Sequence, residues 1–138
     1  MTDTRISAIA LYHDASSEYP PYPAKVAPEI ELYQQVVGGY IEAVNLTLPN
    51  GVQAVMFVNE EGKIFNLPPN PLATSVARQL NDGFGDQVIV GNAIVVGVKG
   101  CDEADVPAEV VAAIHQVHNE LRIAGYVQTL REQKSEQS

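Results

Sequence analysis

YIEAVNLTLPNGVQAVMFV, residues Tyr40–Val58, decides the fold of this chain. Its first half alternates, with Ile41, Val44, Leu46 and Leu48 close to one face, and the shift between Ile41 and Val44 leaves room for a β-bulge. Pro49–Gly51 is a hairpin turn signal, and Val52–Val58 supplies the returning strand. Asn59–Gly62 then suits a four-residue turn, in which Gly62 takes a positive φ without steric cost and the Asn59 side chain bonds the backbone ahead. Lys63 is placed to pair with Glu60 or Glu61 across that turn, worth roughly 0.5 kcal/mol at an exposed site. Lys63–Leu67 reads as a third strand that pairs back, which makes an antiparallel meander.

Outward from this centre the elements alternate in type. Arg5–His13 is apolar with aromatic and β-branched members and reads as a first strand. Residues 14–28 carry several prolines with Tyr19 and Tyr22 among them, so they read as an extended, polyproline-like loop outside any ladder. The tyrosines either pin this loop to the domain or form a lid or partner-docking segment. Pro28–Gly39 reads as a short helix: Glu29 and Glu31 favour its N-terminal end, Ile30, Tyr33, Val36 and Val37 recur at helical spacing, and Gly38–Gly39 close it.

On the far side, Asn70 is a candidate N-cap with Pro71 in the first helical position, and Leu72, Val76, Ala77 and Leu80 form a buried stripe. Gly83 and Gly85 close that helix. Asp86–Lys99 reads as a long apolar strand in two halves, with a bend or hairpin at Gly91–Asn92. Cys101–Asp105 reads as an acidic loop whose Asp105 caps a final helix over about 106–131, with Val106, Val110, Ile114, Val117 and Leu121 at three-to-four spacing. Residues 132–138 read as a polar, frayed tail. This order predicts an α+β fold in a single domain, residues 1–138: a mostly antiparallel sheet of about four to six strands with about three helices packed on one face.

The chain has 138 residues, 46% of them hydrophobic and 18% charged, which suits a domain with a sizeable core. The formal net charge is -9 and the pI is near 4.6. Residues 1–50 hold two basic and six acidic side chains, 51–100 three and four, and 101–138 three and seven, so the middle is nearly neutral. That balance excludes nucleic-acid binding through clustered Lys and Arg and leaves room for basic partners. Cys101 stands alone, so neither an internal disulfide nor a cysteine-built zinc site is expected. The N-terminal stretch does not read as a signal peptide, and no apolar run approaches the roughly 18 residues of a membrane helix. A cytoplasmic location with no membrane partner is the expectation.

Catalytic patterns are scarce. There is no G-x-S-x-G elbow, Walker sequence or G-x-G-x-x-G. Cys101 has acids and no cationic partner beside it in sequence, so it does not read as an activated nucleophile. His115 and His118 share a helix face, but Glu109 and Glu120 do not complete a metal set. No metal or cofactor is expected. Turn geometry explains Asn59, Glu60 and Gly62; Lys63 and the rigid NLPPNP run that follows also suit a binding surface.

VGGYIEAVNL, FVNEEGKIFNLPPNPLAT and IVGNAIVVG together resemble an uncharacterised family of small phage and plasmid proteins, domain of unknown function 3846. The resemblance covers roughly residues 32–98 as a core module. It implies a compact cytoplasmic module of mobile-element genomes (the host cytoplasm, if phage-encoded) with no assigned catalytic residues. Loop 14–28 and the final helix read as this member's own elaborations.

The expectation for function is a non-enzymatic binding protein, acting in counter-defence by sequestering a nucleotide-like small molecule or by docking on a host protein. Its candidate ligand-binding residues are Tyr40, Glu42, Asn59, Glu60, Lys63, Asn70, Arg78 and Asn92. One alternative is a small hydrolase or transferase using Glu42, Glu60 or Glu61 as an acid–base pair. Another is a homo-oligomeric interaction module that uses the Val88–Val96 strand as a sheet edge.

Overall fold

Consecutive residues of the central strands are buried, not alternate ones, and this sets the layering. The computed structural model describes residues 4–14 and 19–136, the side chains of 126–130 and 132–136 aside. In chain order the elements are β1 (Ile6–Leu11), β2 (Ala24–Val26), α1 (Ile30–Val37), β3 (Ile41–Thr47), β4 (Gln53–Asn59), α2 (Pro71–Leu80), β5 (Ala93–Lys99), β6 (Asp102–Ala104) and α3 (Ala108–Glu136). Among the described residues they form one six-stranded sheet in the order β2-β1-β5-β4-β3, with β6 also on β5 and every pairing antiparallel. The α+β class and the antiparallel sheet stand as expected.

The helices lie on both faces of the sheet, not one. Met56, Val58, Val95, Ile9 and Leu11 point to one side, where they pack with Leu72 and Val76 of α2 and Val110 and Ile114 of α3. Val55, Phe57, Ile94 and Val96 point to the other, against Tyr33 of α1. The Tyr33 and Phe57 rings stack with centroids 4.7 Å apart. Period-two side-chain alternation turns an unbroken apolar run such as AVMFV into two apolar faces. Each face then demands its own cover.

The β3–β4 hairpin is regular. Ile41 pairs with Asn59 and each step inward follows to Thr47 with Gln53, so there is no bulge. Leu48 and Val52 close the hairpin, and Gly51 takes φ 90° at its turn. The third neighbour of this hairpin is β5, not Lys63–Leu67. Those residues are turns: Phe65 N–H donates to the Glu61 carbonyl at 3.1 Å and Leu67 N–H to the Gly62 carbonyl at 3.0 Å, which spends the backbone locally. The expected meander of three consecutive strands is therefore a hairpin plus a non-local strand.

Other expectations shift for similar reasons. Ala24–Val26, inside the segment read as a bare loop, pairs with Ile6–Ala8; the prolines flank this short strand instead of interrupting it. Residues 15–18 of that loop lie outside the described residues. Gly91 bends the chain at φ 77°, so only Ala93–Lys99 is strand, and β5 lies between β4 on one side and β1 with β6 on the other. It is not a sheet edge and offers no edge for oligomerisation. Gly100, at φ 64°, turns the acidic loop into β6, and a Cβ at Gly97 would overlap the Asp105 carbonyl. Asp105 does not cap α3; its carboxylate accepts from Ser7 N–H at 2.7 Å and stands 3.7 Å from the Lys25 ammonium. The C-cap of α2 is Asn81, whose side chain accepts from Gly83 N–H, with Gly85 at φ 66° beyond it. Helix α3 runs on through Glu136 where a frayed tail was expected, and residues 137–138 lie outside the described residues.

Candidate functional site

The start of β3 and the end of β4 carry the acids. Glu60 N–H donates to the Tyr40 carbonyl at 2.9 Å, continuing the ladder one pair past the strands. Asn59 then turns the chain: its Oδ1 accepts from Glu61 N–H at 2.8 Å, and its Nδ2 donates to the Val37 carbonyl at the end of α1 at 3.0 Å. This is the side-chain turn that the sequence suggests. Gly62 does not adopt positive φ; a Cβ there would stand 2.6 Å from Val90 Cγ2, so glycine is needed for close approach. The positive φ belongs to Asn66, at 56°.

Residues 84–90 form the opposite wall. The Arg78 guanidinium donates to the carbonyls of Asp86 and Gln87, each at 3.2 Å, and Gln87 Nε2 donates to the Phe84 carbonyl. Thr74 Oγ1 accepts from Ile89 N–H at 2.9 Å and donates to its carbonyl at 3.3 Å. Between this wall and the 59–64 turn lies a cavity of about 180 Å³, lined by Glu42, Val44, Asn59, Glu60, Glu61, Lys63 and the 87–90 backbone region. Among the described residues three glutamates and one lysine belong to its lining, and no Ser, Thr, Tyr, Cys or His does. No ion pair holds Lys63 to either glutamate among the described residues. Beside it a second hollow of about 320 Å³ is lined by Gln34, Gly38, Gly39, Tyr40, Asn59, Glu61 and Phe65. Tyr40, Ile64 and Phe65 are 67%, 79% and 63% exposed, an apolar rim beside the acids.

Of the eight candidate residues the structure brings together Glu42, Asn59, Glu60 and Lys63, with Tyr40 in the adjoining hollow. Arg78 stands outside and props the wall. Asn92 is not part of the lining; its Oδ1 accepts from His13 N–H at 3.0 Å. Asn70 has no surface to offer: it is 0% exposed, its Oδ1 accepts from Ala73 N–H, and its Nδ2 donates to the Leu11 and Gly91 carbonyls. Its place is corrected from ligand contact to interior strut. Glu61 joins the site as a third acid, and the 84–90 wall carries no local sequence signal.

Elsewhere, His115 Nε2 stands 2.6 Å from the Pro21 carbonyl, and the Tyr22 ring meets the imidazole edge-on at 5.0 Å. The tyrosine–proline segment is thus tied to α3. It borders an apolar hollow of about 420 Å³ that includes Tyr12, Tyr19 and Tyr22. Among the described residues no group of three or more His, Cys, Asp or Glu side chains, the cavity glutamates included, is placed to hold a metal ion, and no helix is long and apolar enough to cross a membrane.

The family model described as Domain of unknown function (DUF3846) matches residues 9–119, well over half of the chain, so the chain belongs to that family. The match extends past 32–98 at both ends and takes in the tyrosine–proline segment and the first turns of α3. No curated protein and no solved structure matches the chain.

Proposed function

We propose that this member of the DUF3846 family is a non-enzymatic binding protein whose working surface is the carboxylate-lined cavity under the 59–64 turn, and that a cationic group of a partner protein occupies it. One observation carries this reading: Glu42 of β3 and Glu60 and Glu61 of the turn after β4 line one hollow, and among the described residues Lys63 is the single cationic residue of its lining. A guanidinium or ammonium entering there gains charge-assisted hydrogen bonds, which are roughly twice as strong as neutral ones. The exposed Tyr40, Ile64 and Phe65 supply apolar contact at the rim. In the mobile-element setting that the resemblance implies, the partner is a host protein in the host cytoplasm and the role is counter-defence.

A nucleotide-like small molecule is the second reading. Lys63 would meet its phosphate and Tyr40 its base, but the phosphate would also face three carboxylates. Titration of the protein with agmatine, a small guanidinium amine, separates the two when followed by amide chemical shifts. Shifts confined to residues 42–44 and 58–63, and abolished in the Glu42→Gln/Glu60→Gln double variant, support the cationic occupant. Shifts that survive in that variant, or that arise only with nucleotides, sink it.

A further inference from the structure

The outer edge of the sheet beside this cavity is open over a short, defined run. Glu60 N–H bonds to the Tyr40 carbonyl and Leu48 N–H to the Val52 carbonyl. With the unbroken register between them, the even residues of β3 form the hydrogen-bonded pairs with β4. The odd residues Ile41, Ala43, Asn45 and Thr47 therefore turn their N–H and carbonyl groups away from the sheet. Among the described residues no strand lies beyond β3. Asn81 Nδ2 takes the Asn45 carbonyl at 2.8 Å, so the edge is closed there by a side chain. Among the described residues nothing takes the outward groups of Ile41 and Ala43.

From this we infer that Ile41–Ala43 is a docking edge for an extended, basic segment of the partner, which adds a short strand to β3 and places a Lys or Arg beside Glu42 at the cavity. The source of the cation rests on the proposed function; the open edge is independent of it. Unpaired edges are templates for strand addition, and main-chain bonds give such complexes their affinity. Residues directly opposite on neighbouring antiparallel strands share a face with Cβ atoms about 5 Å apart. A basic residue opposite Glu42 therefore lies on the face that bears Glu42, Glu60 and the cavity. The same carboxylate disfavours a neutral or acidic strand, and it disfavours a second copy of this chain, whose own Glu42 would approach and whose net charge is also -9. Charge thus selects among the strands that the backbone would otherwise accept.

The test uses the full chain, a seven-residue peptide alternating lysine and valine, the same peptide N-methylated at alternate residues in either register, and agmatine. The expected result is at least tenfold tighter binding of the plain peptide than of agmatine, slowed hydrogen exchange at the Ile41 and Ala43 amides, and at least tenfold weaker binding of one N-methylated form. Ala43→Pro, which removes an outward N–H, is expected to lose the peptide and keep agmatine. Agmatine binding without tighter peptide binding or protection of Ile41 and Ala43 overturns the edge and leaves the cavity reading standing. Peptide protection of the edge without agmatine binding does the reverse. Equal binding of both N-methylated forms and the plain peptide overturns the edge, as does protection of Ile41 that grows with protein concentration alone, which assigns it to a second copy.

Discussion

Asn70 Nδ2 stands 2.9 Å from the Gly91 carbonyl and 2.9 Å from that of Leu11, so one buried amide joins the start of α2, the bend before β5 and the end of β1. Its Oδ1 caps α2 at the same time. Asn70→Ala strips three hydrogen bonds and leaves two buried carbonyls short of a donor. At about 1 kcal/mol or more for each lost bond, destabilisation of roughly 3 kcal/mol is expected. Urea unfolding reads this as a lowered midpoint with an unchanged slope. Agmatine shifts at Glu60 are expected to persist in the fraction that remains folded.

Tyr33 gives a pH signature. Its hydroxyl is buried without a hydrogen-bond partner, and burial, followed by the charge of the nearby Glu103 carboxylate, pushes its pKa up to about 12; that carboxylate acts by charge from outside hydrogen-bond geometry. In the unfolded chain a tyrosine loses its proton near pH 10. Between those two values the unfolded state binds fewer protons, so stability is complete below pH 10 and falls with rising pH by roughly 1.4 kcal/mol per unit. Tyr33→Phe is expected to stabilise by about 1 kcal/mol at pH 8 and to lack this alkaline decline. Parallel unfolding curves for the two proteins across pH 9–11.5 would contradict it.

Lys63→Gln separates the two occupants by sign. It removes the lysine from a lining that also includes Glu42, Glu60 and Glu61. Agmatine affinity is expected to rise severalfold, whereas nucleotide affinity would fall. Stability should change by under about 0.5 kcal/mol, because no ion pair is lost. Calorimetry at low salt checks the direction, and at higher salt the gain should shrink.

Gly62→Ala tests the shape of the cavity. The added methyl meets Val90 Cγ2 at 2.6 Å, so the turn or the opposite wall must give. A cost of about 1–3 kcal/mol is expected, together with a loss of agmatine shifts greater than stability alone explains. Gly62→Ala with Val90→Ala should restore both.

The hairpin from Tyr40 to Val58, the Asn70 cap and the Gly38 close of α1 were legible because each is set by neighbours in the chain. Lys63–Leu67 misled because Ile64 and Phe65 have strand-like side chains, yet their backbone is spent in successive turns and both side chains face water. The pairing of β4 with β5 links residues some forty positions apart, and no local period encodes it. The second face was legible in principle: AVMFV and AIVV leave no polar position free for solvent. In the site, the acids and Lys63 stand out as side chains, whereas the burial of Asn70 depends on the Leu11 and Gly91 carbonyls, which are remote from it in sequence. The Arg78-held wall depends on a return of the chain that only the tertiary fold supplies.

Asn59 lines both hollows and holds the Val37 carbonyl at the end of α1, the helix whose Tyr33 covers the opposite face of the sheet. One amide is therefore a mechanical link through the layer. An occupant that drags the 59–62 turn must either stretch that bond or carry the end of α1 with it. The helix on the far side thereby becomes a reporter of occupancy at a cavity it does not line.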